Sequence, residues 1–146
     1  MSERLGKQLR DACADRSGPT SDTLEVVRQL LNEQGVDVNA PNRNGKKAVH
    51  FAAQLRSDTD VLSLLIAAKA DVNAATHRGH TPLIYAAGRC RPRTVELLLA
   101  HGADAATWTV QGACAVSMGR NKGLPAALVQ RLADNQQSST SRREFK

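Results

Sequence analysis

Apolar residues along the chain come in short clusters separated by polar, glycine-containing stretches. Leu9, Ala12 and Cys13 form one cluster, and Val26, Val27, Leu30 and Leu31 the next. Phe51–Ala53, Leu64–Ile66, Ala86–Ala87, Leu97–Leu99 and Leu124–Leu132 follow. Clusters of this length predict short helices, two to a unit. The longest apolar run, near Val61–Ala68, is far short of the roughly 18–20 residues needed to span a bilayer. The clusters also repeat. Residues 39–53, 74–87 and 107–120 align on Gly45, Gly79 and Gly112, at spacings of 34 (79 − 45) and 33 (112 − 79). A second set recurs with them: Leu30-Leu31…Asp37-Val38-Asn39-Ala40, Leu64-Leu65-Ile66…Ala70-Asp71-Val72-Asn73-Ala74 and Leu97-Leu98-Leu99…Gly102-Ala103-Asp104. A fixed period of this size signals stacked units that cannot bury their own faces alone.

The unit with the clearest chemistry is the third. Gly79 suits a positive φ in a tight turn. Thr81 is placed to cap a helix, and Pro82 falls in its first turn, where a missing N–H costs nothing. Ala86 and Ala87 keep that helix thin enough to stack closely. Leu97–Leu99 supply the bulk of a second helix, each leucine contributing roughly 1.5–3 kcal/mol when buried. Gly102 suits the left-handed stop after it.

The run Gly79-His80-Thr81-Pro82-Leu83…Ala86-Ala87…Val95…Leu97-Leu98-Leu99…His101-Gly102-Ala103-Asp104 resembles the ankyrin repeat family. The resemblance covers about residues 5–134. It implies an all-α solenoid of four helix-turn-helix repeats with loop or hairpin connections, at about 5–40, 41–74, 75–107 and 108–134, within a domain spanning 1–134. The departures from the pattern are local. The first unit carries extra residues around Asp15–Ser21 and outward charge, as an N-terminal capping repeat should. The second has Lys47-Ala48 in place of Thr-Pro, a lost cap worth about 1 kcal/mol. It also has one extra residue near Ser57-Asp58 and Lys69 where glycine is expected. The fourth has Cys114-Ala115 for Thr-Pro, and a second helix with Pro125 near its start and Gln130 and Arg131 on the stacking side. Both ends therefore read as caps, consistent with a complete short protein. Residues 135–146, polar and ending in Arg142-Arg143…Lys146, are expected as a disordered basic tail.

Composition narrows the function. The 146 residues include 22 alanines and 16 leucines but only four aromatic residues. So few rings exclude a nucleic-acid binder built on stacking platforms. Cys13, Cys90 and Cys114 form no Cys-x-x-Cys pair, so neither zinc nor redox motifs are supported, and reduced thiols of the cytoplasm or nucleus are expected. There is no nucleophile elbow and no phosphate loop, since Gly45-Lys46-Lys47 lacks the spaced glycine and the Ser/Thr. His77 and His80 flank a turn tip rather than sharing a helix face, so no metal is assigned to them. His50 is expected to hydrogen-bond neighbouring loops, and the pair Asp58/Asp60 to be solvated. No catalytic residue, metal or cofactor is assigned.

What remains is a surface. Ankyrin arrays hold partners on loop tips and on the inner face of their first helices, and the resemblance carries those positions to Arg43, Asn44, Lys46, Gln54 and Leu55 in the second unit. In the third they are His77, Arg78, His80, Gly88 and Arg89, and in the fourth Val110, Gln111, Ala113, Asn121 and Lys122, with Trp108 at the border. The net charge of +6 is concentrated: residues 1–40 carry −2, residues 41–93 carry +6 and residues 94–146 carry +2. Arg43, Lys46, Arg78 and Arg89 belong to the central surplus. Such a strip would steer an acidic partner. The expected function is a monomeric, non-catalytic protein-interaction module with no membrane contact. The alternative is an accessory nucleic-acid- or phosphate-binding subunit that uses the same strip.

Overall fold

The first helices of the last three units differ in how they satisfy the exposed N–H groups of a helix N-terminus. At Thr81 the hydroxyl accepts from the Ile84 N–H at 3.3 Å, and Pro82 occupies the first turn. Lys47 and Cys114 cannot offer a threonine hydroxyl. There the third helical residue turns back instead: His50 Nδ1 accepts from Lys47 N–H at 3.0 Å, and Ser117 Oγ accepts from Cys114 N–H at 3.1 Å. This is the returning half of a capping box, so the two lost caps are partly replaced.

A computed structural model describes residues 1–17, 20–55 and 59–144. The expected inserts at Gly18-Pro19 and Ser57-Asp58, the Asp58/Asp60 pair and the last two tail residues lie at least partly outside them. The helices are α1 (Ser2–Ala14), α2 (Thr20–Asn32), α3 (Ala48–Leu55), α4 (Asp60–Ala67), α5 (Pro82–Gly88), α6 (Pro92–Ala100), α7 (Ala115–Asn121) and α8 (Ala126–Glu144). No strand occurs among the described residues. Each odd-numbered helix packs on the even-numbered helix that follows it, and α1, α3, α5 and α7 stack in that order. This is the all-α solenoid of four helix pairs that the repeat implies. Ala52, Ala53, Ala86 and Ala87 are buried between the first helices, and Leu62, Leu65, Leu98 and Leu132 fill the layer behind them.

Asparagines join successive units behind the helices. Asn39 Nδ2 donates to Lys69 O at 3.1 Å, and its Oδ1 accepts from Asp71 N–H at 2.8 Å. Asn73 repeats the pair one unit on, with Gly102 O at 3.1 Å and Asp104 N–H at 2.8 Å. The position after that is Ala106, and the ladder stops. Asn135 of α8 takes its place from the other side, its Oδ1 accepting from Ala105 N–H at 2.9 Å.

That contact bears on the segment expected to be disordered. The structure corrects the expectation as far as Glu144, because α8 continues through it. No Gly or Pro interrupts residues 126–144. Ser138 and Thr140 donate their hydroxyls to Asp134 O and Gln136 O at 3.0 and 2.9 Å, and Asn135 ties the helix to the preceding loop. The Arg131 guanidinium, more than half exposed, pairs with Glu96 on α6 at 3.8 Å.

Lys69 follows α4 with φ +70°, whereas the equivalent residue after α6, Gly102, has φ +85°. Both close the helix alike: Ala70 N–H donates to Leu65 O and Ala103 N–H to Leu98 O. A side chain in the left-handed region costs about 1–2 kcal/mol, offset in part by the extra chain freedom glycine brings to the unfolded state. Lys69→Gly is therefore expected to raise stability by about 0.5–1 kcal/mol, read as a higher denaturation midpoint at unchanged slope. An unchanged or lower midpoint would refute it.

Candidate partner-binding face

One turn is built three times between the helix pairs. In the first, Asn42 Oδ1 accepts from the N–H groups of Asn44 and Lys46, both at 2.9 Å. In the second, Thr76 Oγ1 accepts from His80 N–H at 3.2 Å, and in the third Thr109 Oγ1 accepts from Ala113 N–H at 3.1 Å. Gly45, Gly79 and Gly112 turn the chain with φ of +76°, +82° and +75°. The tips are joined to each other. His77 N–H donates to Asn44 O and Val110 N–H to Arg78 O, both at 3.0 Å. A hydrogen-bonded backbone strip thus presents the tip side chains in fixed order.

Between the first and second tips lies an open cavity of about 450 Å³, lined by Asn44, Lys46, Thr76, His77, Arg78, His80 and Tyr85. Five of these are residues the sequence singles out; Thr76 and Tyr85 are not. Lys46 is the centre of the arrangement. Its ammonium lies 4.3 Å from the Phe51 ring centre and 4.7 Å from that of Tyr85, and it donates to Gln54 Oε1. Cation–π contacts of this kind contribute about 0.5–2 kcal/mol. Burial, and secondarily the positive charge of Arg89, lower the Lys46 pKa. The His80 ring stacks on Tyr85 with centroids 5.1 Å apart. Burial, then Arg78 and Lys46, push His80 below the usual imidazole value. Burial raises the Tyr85 phenol, with Arg78 opposing.

The other expected residues are spread around this cavity. Gln54 is half-buried and engaged, its side chain by Lys46 and its backbone carbonyl by Arg91 Nε at 3.3 Å. Arg43 lines a different cavity of about 480 Å³ with Glu3, Arg10, Asp11 and Phe51. Arg89 is exposed beside Lys46. Trp108 is 56% exposed and Val110 73%; Gln111 is exposed next to them. Arg43, Lys46, Arg78 and Arg89 form no ion pair among the described residues. Lys7–Asp11, Glu25–Arg28 and Glu96–Arg131 are among the pairs that do form. No group of three His, Cys, Asp or Glu side chains among the described residues could hold a metal. No described helix is long and apolar enough to cross a membrane.

Stacked helix pairs with a bonded row of tips define a helical repeat protein whose polar side chains are presented on a surface. The family description "Ankyrin repeats (3 copies)" matches residues 12–107, and the chain belongs to the ankyrin repeat family. It is 33% identical over 122 residues to the BTB/POZ domain and ankyrin repeat-containing protein NPR1 of Malus hupehensis, covering 84% of this chain and 20% of that protein. It is 31% identical over 142 residues to the regulatory protein NPR3 of Arabidopsis thaliana, covering 97% and 22%. With the nuclear factor NF-kappa-B p105 subunit of Gallus gallus the identity is 38% over 86 residues, covering 58% and 9%. The chain thus spans about a fifth of the length of the first two relatives and about a tenth of the third.

Proposed function

We propose that this chain is a non-catalytic protein-interaction module, an adaptor, scaffold or inhibitor, that holds an acidic partner through the loop tips and first-helix face of its central repeats. The observation that carries the reading is the uncompensated charge. Lys46, Arg78 and Arg89 lie on that side with no carboxylate paired to them among the described residues, and Arg43 forms no ion pair there although Glu3 and Asp11 line its cavity. Cations held without counterions raise the local concentration of acidic groups and speed encounter by about 10–10³-fold at low salt. They add little to stability, because exposed charges contribute about 0–1 kcal/mol even when paired. Membership of the ankyrin family supports a protein as partner. A monomer working in the cytoplasm or nucleus is the setting this reading assumes; the name of the p105 relative, a nuclear factor, is in keeping with it.

The test is capture of partners on the wild-type chain and on a variant with Arg43, Lys46, Arg78 and Arg89 reversed to Glu. Both proteins are first checked for equal helix content. The variant is expected to lose most of the wild-type partners, and the retained binding to fall steeply with added salt. Identical partner sets would sink the proposed face.

A further inference from the structure

The cavity between the first two tips is lined by two full cations, two imidazoles and two hydroxyls, and by no acidic group. The Arg78 guanidinium makes no hydrogen bond or ion pair among the described residues, so its whole donor fork is available. Lys46 is different, because its position is fixed. The Phe51 and Tyr85 rings and the Gln54 oxygen hold the ammonium at the cavity wall. The backbone carbonyls of Asn44 and Arg78 are occupied by His77 and Val110 N–H groups, so neither competes as an acceptor at the cavity. A single carboxylate would match only one of the two full charges. A phosphomonoester brings a charge of about −1.5 to −2 at pH 7 and three acceptor oxygens. Arginine meets such a group with parallel N–H donors.

We propose that this cavity is a phosphoryl-binding site and that it takes a phosphorylated side chain of the partner protein. The proposal rests on the reading of this face as a protein-binding surface and deepens it. Arg78 grips the phosphoryl oxygens, Lys46 supplies the second charge, and Thr76 and His77 are placed to donate. Tyr85 with His80 stacked on it forms a flat floor for the carrier of the group. Arrival of the dianion also relieves the repulsion that Arg89 exerts on Lys46.

The experiment is an NMR titration of the full chain with phenyl phosphate, O-phosphoserine, adenosine monophosphate and benzoate. Phenyl phosphate and phosphoserine are expected to shift the His77, Arg78 and His80 resonances saturably. Benzoate should bind at least about tenfold more weakly. Arg78→Gln should weaken phenyl phosphate about tenfold or more, while Arg28→Gln, an exposed arginine on α2 outside the cavity, leaves it unchanged. A second arm treats captured partners with a phosphatase and expects their retention to fall. Three results would overturn the proposal: benzoate binding as tightly as phenyl phosphate, no saturable shift at millimolar phosphoryl ligand, or phosphatase without effect. Nucleotide binding more than about tenfold tighter than either phosphoryl amino-acid probe would reassign the cavity and overturn it as well. If capture stays sensitive to charge reversal while these fail, only the phosphoryl site falls; if capture is insensitive, the underlying face falls.

Discussion

Between pH 7 and pH 4 the chain is expected to lose about 3 kcal/mol of stability through His50 alone. The side chain is fully buried. Its Nδ1 accepts from Lys47 N–H at 3.0 Å, which fixes the proton on Nε2, and Nε2–H donates to Ala74 O at 2.8 Å. Protonation would set a second N–H against the amide of Lys47. Burial is the largest cause of the shift; the backbone of Ala74 and His80 opposes it, and Lys46 and Lys47 add to it. The net result holds the imidazole at about 4 instead of 6.5. The folded state therefore prefers the neutral ring. This contribution is complete above about pH 6.5 and is lost progressively as the pH falls to about 4. Set against a typical stability of about 5–15 kcal/mol, that is a large share.

Chemical denaturation of the wild type and of His50→Gln at pH 7, 5.5 and 4 isolates the effect. The variant starts less stable, since it gives up one buried bond, about 1–3 kcal/mol. The wild type should then lose about 3 kcal/mol more than the variant on going to pH 4. His80, whose pKa is lowered as well, remains in both proteins and drops out of the difference. Parallel stability curves would show that the ring is not what senses acid.

His50 also shows where the sequence is readable and where it is not. The period of 33–34, the Thr81-Pro82 start and the left-handed stop at Gly102 are properties of single residues and of spacing, so the solenoid is legible without coordinates. The loss of the caps at Lys47 and Cys114 is legible too. Their replacement by His50 and Ser117 is not, because a capping box is normally read from Glu or Gln at that position. Residues 135–144 are polar on all faces, which reads as disorder; the tertiary tie of that segment is Asn135, reaching a loop 30 residues away. In the binding face, Arg78 and His80 are named by repeat position. The seating of Lys46 over Phe51 and Tyr85 is set by the distance between α3 and α5, which no spacing within one repeat encodes. Gln54, equally well placed by register, is already held by Lys46 and Arg91.

That distance between units makes the second large prediction, an ordering of three glycines with near-equal φ. A Cβ at Gly112 (φ +75°) would meet nothing within 4 Å. Gly112→Ala thus measures the left-handed strain less the unfolded-chain freedom that glycine would have kept, a net cost of about 0.5–1 kcal/mol. At Gly45 the Cβ would stand 2.8 Å from Cδ2 and 3.1 Å from Nε2 of the His77 ring, which can rotate, but also 3.1 Å from the His77 backbone nitrogen. At Gly79 it would stand 2.8 Å from Trp108 O and 3.0 Å from Thr109 Cα, backbone atoms that cannot move without pulling Val110 N–H off Arg78 O. Gly79→Ala is therefore expected to cost about 1.5–4 kcal/mol, the net strain plus an overpacking term of about 1–3 kcal/mol. Gly45→Ala should fall between the two. Denaturation midpoints of the three variants check the order. Equal costs at Gly79 and Gly112 would mean that the tips of adjacent units do not lean on one another. The row that carries Lys46, Arg78 and Trp108 would then be three independent turns rather than one rigid face.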